Sequence, residues 1–327
     1  MDLKGKKILF ARICGTGVSS LALICKNLGA HVTGVDLDYY PPVSTKLKEE
    51  NIPCFTMEKF FELIENDRPD MIVVGNALNG KSKEAEFITN GDIPYYSMPS
   101  FMEEFLLDGK RPVVISGTHG KTTTTTIFSE ILTGLGKDPS YMIGGIPEFS
   151  GTNSAFTEGE KYFVIEGDEY DTAFFDKGPK FLHYKPETTV VTSIEFDHAD
   201  IYDSVDTIFN NFVKLVSITR KRVILSLDFK HNRDLTCHIP AEKLFTYSIE
   251  DKRADAFIQF EERAGNMMIF SVLFKDGKRH FFTTPLFGVQ NLMNLGALIS
   301  FLKCEGFNLK DQKLSYVLKS MKGIKRR

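Results

Sequence analysis

The segment best suited to chemistry is Ser116-Gly117-Thr118-His119-Gly120-Lys121-Thr122-Thr123, set between an apolar run, Pro112 to Ile115, and a stretch of helical period from Lys121 to about Leu135. Strand, glycine loop and helix in that order make a phosphate cradle. Backbone N–H groups at a helix N-terminus carry partial positive charge, glycines let an oxyanion approach closely, and a lysine ammonium reaches the terminal phosphates. Thr122 then suits Mg²⁺ as a hydroxyl ligand. The usual loop needs a glycine five positions before Gly120, where Ile115 stands, so this is a shortened variant. The plain alternative is a Gly/Thr-rich turn with a solvated lysine.

Two acidic clusters follow apolar strands. Tyr162 to Ile165 leads into Glu166, Asp168, Glu169 and Asp171, and Thr189 to Ile194 leads into Glu195, Asp197, His198 and Asp200. If these strands run parallel to the one before the loop, all three carboxyl ends open on one crevice, the usual ligand position in such sheets. Carboxylates this dense beside phosphates call for a cation, and Mg²⁺ prefers oxygen donors. His198 is a less natural ligand for that ion. Helix caps facing solvent are the ordinary reading of any one acid alone.

A second glycine turn, Gly15-Thr16-Gly17-Val18-Ser19-Ser20, follows the apolar strand Ile8 to Ile13, with Ser20 where the dinucleotide fingerprint has its third glycine. Asp36 ends the next strand, His31 to Val35, where a ribose-binding carboxylate is expected. An NAD-binding half or any nucleoside diphosphate site fits, as does a structural turn.

The elements that must hold these residues alternate. Helical stretches near Val18 to Leu28, Thr45 to Glu50 and Lys59 to Asn66 alternate with strands ending at Met71 to Val74, which argues for an α/β parallel sheet. The polar Leu107 to Pro112 segment marks a boundary, giving expected domains 1–107 and 108–327. Beyond a helix at Val205 to Val216, the segments Ala256 to Glu261, Met267 to Phe274 and Arg279 to Thr283 alternate as an antiparallel meander, and helices at Gln290 to Leu302 and Lys310 to Met321 follow.

The 327 residues carry 40 basic and 43 acidic side chains, net charge -3, so no global field points to nucleic acid or an anionic membrane. No run approaches the roughly 20 apolar residues of a membrane span. Cys14, Cys25, Cys54, Cys237 and Cys304 lack paired spacing, which suits free thiols in the cytoplasm.

Taken together, Gly117 to Thr123, Glu166-Gly167-Asp168-Glu169, Glu195 to Asp200 and Gly288-Val289-Gln290-Asn291-Leu292-Met293-Asn294 resemble the Mur ligases of bacterial cell-wall synthesis. Tyr40 to Thr45, Glu169 to Lys177 and Lys322 to Arg327 resemble most the members that join the tripeptide L-Ala-γ-D-Glu-meso-diaminopimelate to UDP-N-acetylmuramate in peptidoglycan recycling. The resemblance implies a Rossmann-like domain for the UDP-sugar, then a P-loop-type ATPase domain with the added meander. It implies ATP and Mg²⁺, a phosphorylated lactyl carboxylate, and displacement of phosphate by the peptide amine. By the same match Lys121, Glu166 and His198 are catalytic, and Thr122, Glu166 and His198 hold metal. Gly117, Thr118, His119, Gly120, Lys121, Thr122, Thr123, Asn291, Asn294 and Arg327 contact ATP, while Gly15, Thr16, Gly17, Ser19, Asp36 and Asn76 hold the UDP-sugar.

The match departs from the family pattern at Gly167, Ser193 and Gln290, where alanine, asparagine and histidine are usual. The family's third, C-terminal domain, which binds the incoming amine, has no counterpart here, so the chain is expected to bind nucleotide without completing ligation. Other readings remain: a ligase taking L-alanine, an NAD-dependent oxidoreductase built on Gly15 to Asp36, and a non-catalytic UDP-sugar-binding module.

Overall fold

A computed structural model describes residues 2–195 and 205–322. The chain divides into two compact units, one of Met1–Asp108 with Tyr170–Tyr184 and one of Gly109–Glu169 with Lys185–Arg327. A division after residue 107 would leave 170–184 in the second unit. Side-chain packing explains the excursion: Phe174 covers Gly80 so closely that a Cβ there would lie 2.9 Å from its ring. Phe175 meets Tyr95 edge-on at 4.9 Å, and His183 sits 3.0 Å from both Glu103 and Asp176.

The first unit is built on strands β1 (Lys7–Ala11), β2 (His31–Asp36), β3 (Cys54–Thr56), β4 (Met71–Val74) and β5 (Tyr95–Ser97). Helices α1 (Thr16–Asn27), α2 (Val43–Glu49), α3 (Phe60–Asn66), α4 (Lys83–Asn90) and α5 (Met98–Phe105) connect them. All pairings are parallel, in the order β3-β2-β1-β4-β5. The order reverses between β1 and β4, so the turns after these strands flank a switch-point crevice. β4 is buried along its whole length, as a continuous apolar run in a covered parallel strand should be. β1 stops at Ala11, short of the expected Ile13, because Arg12 takes a left-handed φ of 67° and both Arg12 and Ile13 donate their N–H to Val35 O.

The second unit holds β6 (Arg111–Ser116), β7 (Ser140–Met142), β8 (Ser154–Ala155), β9 (Tyr162–Gly167) and β10 (Thr188–Val191). These continue into β11 (Arg222–Ser226), β12 (Leu244–Ser248), β13 (Ala256–Ala264), β14 (Met267–Phe274) and β15 (Arg279–Thr284). Its helices are α6 (Lys121–Gly134), α7 (Val205–Ile218), α8 (Lys230–Leu235), α9 (Val289–Cys304) and α10 (Gln312–Ser320). One sheet runs β15-β14-β13-β12-β11-β10-β6-β9-β7-β8. The meander is therefore not a separate layer: β13 pairs parallel with β12 and antiparallel with β14. α6 and α9 bury Ile127, Phe128, Ile131, Leu295, Leu298 and Phe301 on this sheet. β6 lies between β10 and β9, parallel to both, with Ser116 level with Val191 and Gly167. The loop after β6 thus emerges at a second switch point.

Candidate functional site

Ser116 closes β6 and Lys121 opens α6, with Gly120 at φ 82° directly before the helix. The first intrahelical bond runs from Thr124 N–H to Gly120 O at 2.9 Å. The amides of Lys121, Thr122 and Thr123 therefore precede the helical ladder and present the anion-binding end of α6.

The other loop amides have different work. Thr118 N–H donates to Ser193 O at 2.7 Å and His119 N–H to Ser193 Oγ at 3.1 Å. Thr192 Oγ1 donates to His119 O at 2.7 Å, and Thr118 Oγ1 accepts Glu195 N–H at 2.9 Å. Asn232, buried on α8, donates from Nδ2 to Thr192 O at 3.2 Å and so steadies the brace from behind. Thr118 and His119, expected in the cradle, are occupied in pinning the loop to the end of β10, and the His119 ring stands exposed 3.8 Å from Glu195. Gly117 is glycine for the same reason: at φ 138°, a Cβ would lie 2.1 Å from Thr192 Oγ1.

Two carboxylates, Glu169 and the part-buried Glu166, face the helix start. Lys121 Nζ lies 3.0 Å from Glu169 Oε2 and donates to Gly117 O at 2.8 Å. Thr122 Oγ1 donates to Glu166 Oε2 at 3.2 Å, and Gly144 N–H to Glu166 Oε1 at 2.6 Å. A Cβ on Gly144 would come within 2.9 Å of that carboxylate, so glycine there opens the pocket Glu166 occupies. Burial pushes the Glu166 carboxyl up to about 7, Asp168 adds to this, and the Gly144 N–H, the Thr122 hydroxyl and Lys121 only partly oppose it. A part-buried carboxylate raised in this way has a charge that its neighbours do not neutralise. With the Thr122 hydroxyl it forms a hard-oxygen pair that fits a divalent cation such as Mg²⁺.

The acidic cluster read from the sequence does not stay together. Glu166 and Glu169 face the loop, whereas Asp171 pairs with Lys177 at 3.0 Å and accepts Gly178 N–H within the first unit. Among the described residues no three His, Cys, Asp or Glu gather closely enough to hold a metal. His198, with Asp197 and Asp200, and Arg327 fall outside the described residues. Asn294 is buried beneath the loop, with its Oδ1 3.2 Å from where a Gly120 Cβ would be. Asn291 donates to Phe287 O at 2.8 Å. In the sequence Ser193 stands out only as a departure from the family pattern, and Gly144 belongs to no motif. The one available signal for the latter was the Gly144-Gly145 pair after an apolar stretch.

In the first unit, Gly15 precedes α1 without a side-chain cap, leaving the helix amides open to an anion. Thr16 and Gly17 begin the helix. Ser19 Oγ donates to Thr16 O at 3.0 Å, and a Cβ on Gly17 would sit 2.8 Å from Met98 Sδ. Asn76 is exposed just past β4, on the other side of the switch point. Asp36 is 3% exposed and engaged by its own loop, accepting N–H from Cys14 at 2.7 Å and Leu37 at 2.8 Å, with Arg12 Nη1 at 3.0 Å. A dinucleotide site needs that carboxylate for a ribose. Its commitment to Arg12 and Cys14 weighs against the oxidoreductase reading.

Comparison with known proteins decides the family. The Mur ligase middle domain matches residues 115–302, and the Mur ligase family catalytic domain matches residues 7–110. The chain belongs to the Mur ligase family. Among curated Mur ligases, UDP-N-acetylmuramate--L-alanyl-gamma-D-glutamyl-meso-2,6-diaminoheptandioate ligase of Haemophilus influenzae is 40% identical over 222 residues, 68% of this chain and 48% of that protein. UDP-N-acetylmuramate--L-alanine ligase of Fusobacterium nucleatum is 29% identical over 98% of this chain and 65% of its own length. The chain thus spans about half to two-thirds of these curated relatives. Among solved structures, UDP-N-acetylmuramate:L-alanyl-gamma-D-glutamyl-meso-diaminopimelate ligase from Neisseria meningitides superposes with a TM-score of 0.87 at 32% identity, covering 98% of this chain and 100% of that one. Mur ligases are ATP-dependent amide ligases, and among the described residues no helix is long and apolar enough to cross a membrane.

Proposed function

We propose that this Mur ligase chain binds ATP at the β6–α6 loop and UDP-N-acetylmuramate at the β1–α1 turn, and serves a ligase that joins a tripeptide, L-Ala-γ-D-Glu-meso-diaminopimelate, to the sugar's lactyl carboxylate. The observation that carries it is the pairing of a lysine-bearing helix start with a part-buried carboxylate that its neighbours do not compensate, Glu166, one hydrogen bond from Thr122. The amides of Lys121, Thr122 and Thr123 receive phosphate oxygens, and the Lys121 ammonium draws charge toward the leaving oxygen. Thr122 and Glu166 would hold Mg²⁺, which offsets phosphate charge when bound; His198 is assigned to a second ion by resemblance. Asn291, Asn294 and Arg327 are assigned to the nucleotide, and Gly15, Thr16, Gly17, Ser19 and Asn76 to the UDP-sugar, with Asp36 shaping that turn through Arg12. Transfer of the γ-phosphoryl group to the carboxylate gives an acyl phosphate, whose phosphate the peptide amine displaces to form the amide.

Lys121→Ala tests the assignment. MgATP affinity should fall by about 10- to 100-fold, the worth of one charge-assisted contact, while UDP-N-acetylmuramate affinity is unchanged in calorimetry. Unchanged MgATP binding, or loss of UDP-sugar binding instead, refutes it. The relatives that take L-alanine match over nearly the whole chain and favour a second reading of the amine. Phosphate release stimulated by L-alanine but not by tripeptide would select it.

A further inference from the structure

The UDP-sugar reading leaves the conformation of Arg12 unexplained. Arg12 follows β1 at the switch point and holds a left-handed φ of 67°, a region that favours glycine over a residue with a side chain. Strain of this kind gathers at ligand sites, where the surrounding structure imposes it. Gly75, just past β4, leaves room for Arg12: a Cβ there would lie 2.8 Å from Arg12 O and 3.0 Å from its Cβ. The Arg12 side chain is 19% exposed and reaches Asp36, with Nη1 3.0 Å from Oδ1. That approach is an ion pair without hydrogen-bond geometry, since Nε and Nη1 are buried and have no hydrogen-bond acceptor among the described residues. The Asp36 oxygens are otherwise engaged, each accepting a backbone N–H, from Cys14 at 2.7 Å and Leu37 at 2.8 Å. A guanidinium carries five N–H donors, and here they are largely unused. The same carboxylate joins it to the Cys14 amide, one residue before the Gly15 cap, where α1 begins with no side-chain cap and no acid in its first turn.

We propose that Arg12 is a ligand-contacting residue, whose guanidinium keeps its ion pair with Asp36 and turns its unused donors to the diphosphate of a UDP-sugar at the start of α1. Helix amides hold an anion through partial charges; the guanidinium adds a full charge and a planar fork that matches phosphate oxygens. Because the ion pair is kept, no buried charge is left alone, and the phosphate supplies the acceptors that Nε and Nη1 lack. The consequence is a preference for the nucleoside diphosphate over the bare nucleoside. The proposal rests on the UDP-sugar assignment above and adds to the glycine turn a charged residue that the assignment does not contain.

The test measures UDP and uridine affinities of the wild-type chain, Arg12→Gly and Arg12→Lys by competitive calorimetry against UDP-N-acetylmuramate, with melting temperature without ligand. Glycine adopts the left-handed region freely, so Arg12→Gly removes the side chain without straining the turn. Loss of a charge-assisted contact should lower UDP affinity about tenfold or more and leave uridine affinity within about threefold of wild type. Arg12→Lys, which keeps the charge but not the fork, should fall between the two. Equal losses for UDP and uridine would mean that Arg12 only shapes the turn or touches the nucleoside, and overturn the proposal, as does unchanged UDP affinity. Arg12→Gly also takes the counterion from Asp36, so the comparison is repeated in an Asp36→Asn background. There the UDP-to-uridine affinity ratio should again fall about tenfold; disappearance of the effect would trace it to the stranded carboxylate and overturn the proposal. A wild-type chain that binds MgATP but neither UDP nor UDP-N-acetylmuramate overturns the UDP-sugar assignment itself, and this proposal with it.

Discussion

The two ends of the ten-stranded sheet each bury carboxylates, and they treat them in opposite ways. At the amino ends of β6 and β9, Arg111 donates from Nε to Glu187 at 2.7 Å and from Nη1 to Tyr162 Oη at 3.1 Å, with Nη2 on Glu305. Tyr162 and Lys221 each add a bond to Glu305 at 2.8 Å. Burial pushes the Glu305 carboxyl up, but Lys221, Tyr162 and Arg111 outweigh it and hold the group below the usual carboxylate range. At the carboxyl ends of the same strands, Glu166 has an amide, a hydroxyl and a more distant lysine for company, and burial wins. The difference separates a closed network, which stabilises the fold, from an unfinished one, which has room for a ligand's charge.

Breaking the closed end should have the largest effect on folding. Arg111→Ala leaves Glu305 and Glu187 without their guanidinium and should lower stability by about 3 kcal/mol in denaturant unfolding. MgATP affinity of the folded protein should not change. A loss below about 1 kcal/mol would mean that the network is no better than a surface ion pair.

Glu166→Gln sharpens the contrast through pH. The folded carboxyl titrates at about 7 and the unfolded one near its ordinary value of 4.5, so the folded state binds the extra proton between those limits. The contribution of Glu166 to stability therefore falls as pH rises from about 4.5 to 7, by a total on the order of 3 kcal/mol. The glutamine variant lacks that slope and should gain on wild type across the same window, while losing Mg²⁺-dependent stabilisation. Parallel stability profiles for the two proteins would remove the claim that Glu166 is uncompensated. At the closed end the sign reverses: the depressed Glu305 carboxyl contributes stability that is lost as pH falls through its folded value.

The smallest effect is expected at the brace. Ser193→Ala removes the acceptor for His119 N–H but keeps the backbone carbonyl that takes Thr118 N–H. It should cost about 1 kcal/mol in stability and weaken MgATP binding a few-fold. No change in either would show that the Thr118 bond alone sets the loop.

The β6–α6 loop could be read from the sequence because strand, glycines, lysine and helix period fall within one short segment. β9 and α9 were legible for the same reason, as was the meander of β13 to β15. The end of the β10 strand was not: the apolar run suggests pairing to Ile194, yet the ladder stops at Val191 because Thr192 and Ser193 turn to grip the loop. The three-residue β3, β5 and β7 and the two-residue β8 are too short for a period to declare itself. The excursion of 170–184 into the first unit depends on pairings such as Phe175 with Tyr95 and His183 with Glu103, which join residues about 80 positions apart.

From the sequence alone came the α/β alternation, the glycine-led helix start and the acidic strand ends, because each is a local pattern imposed by backbone geometry and side-chain type. Only the tertiary structure decided which acids share the site. Glu166 and Glu169 face Thr122 and Lys121, Asp171 turns to Lys177, and Asp36 closes on Arg12. Whether a carboxylate meets a cation depends on which strands become neighbours, and strand order is set by packing between segments far apart in the chain.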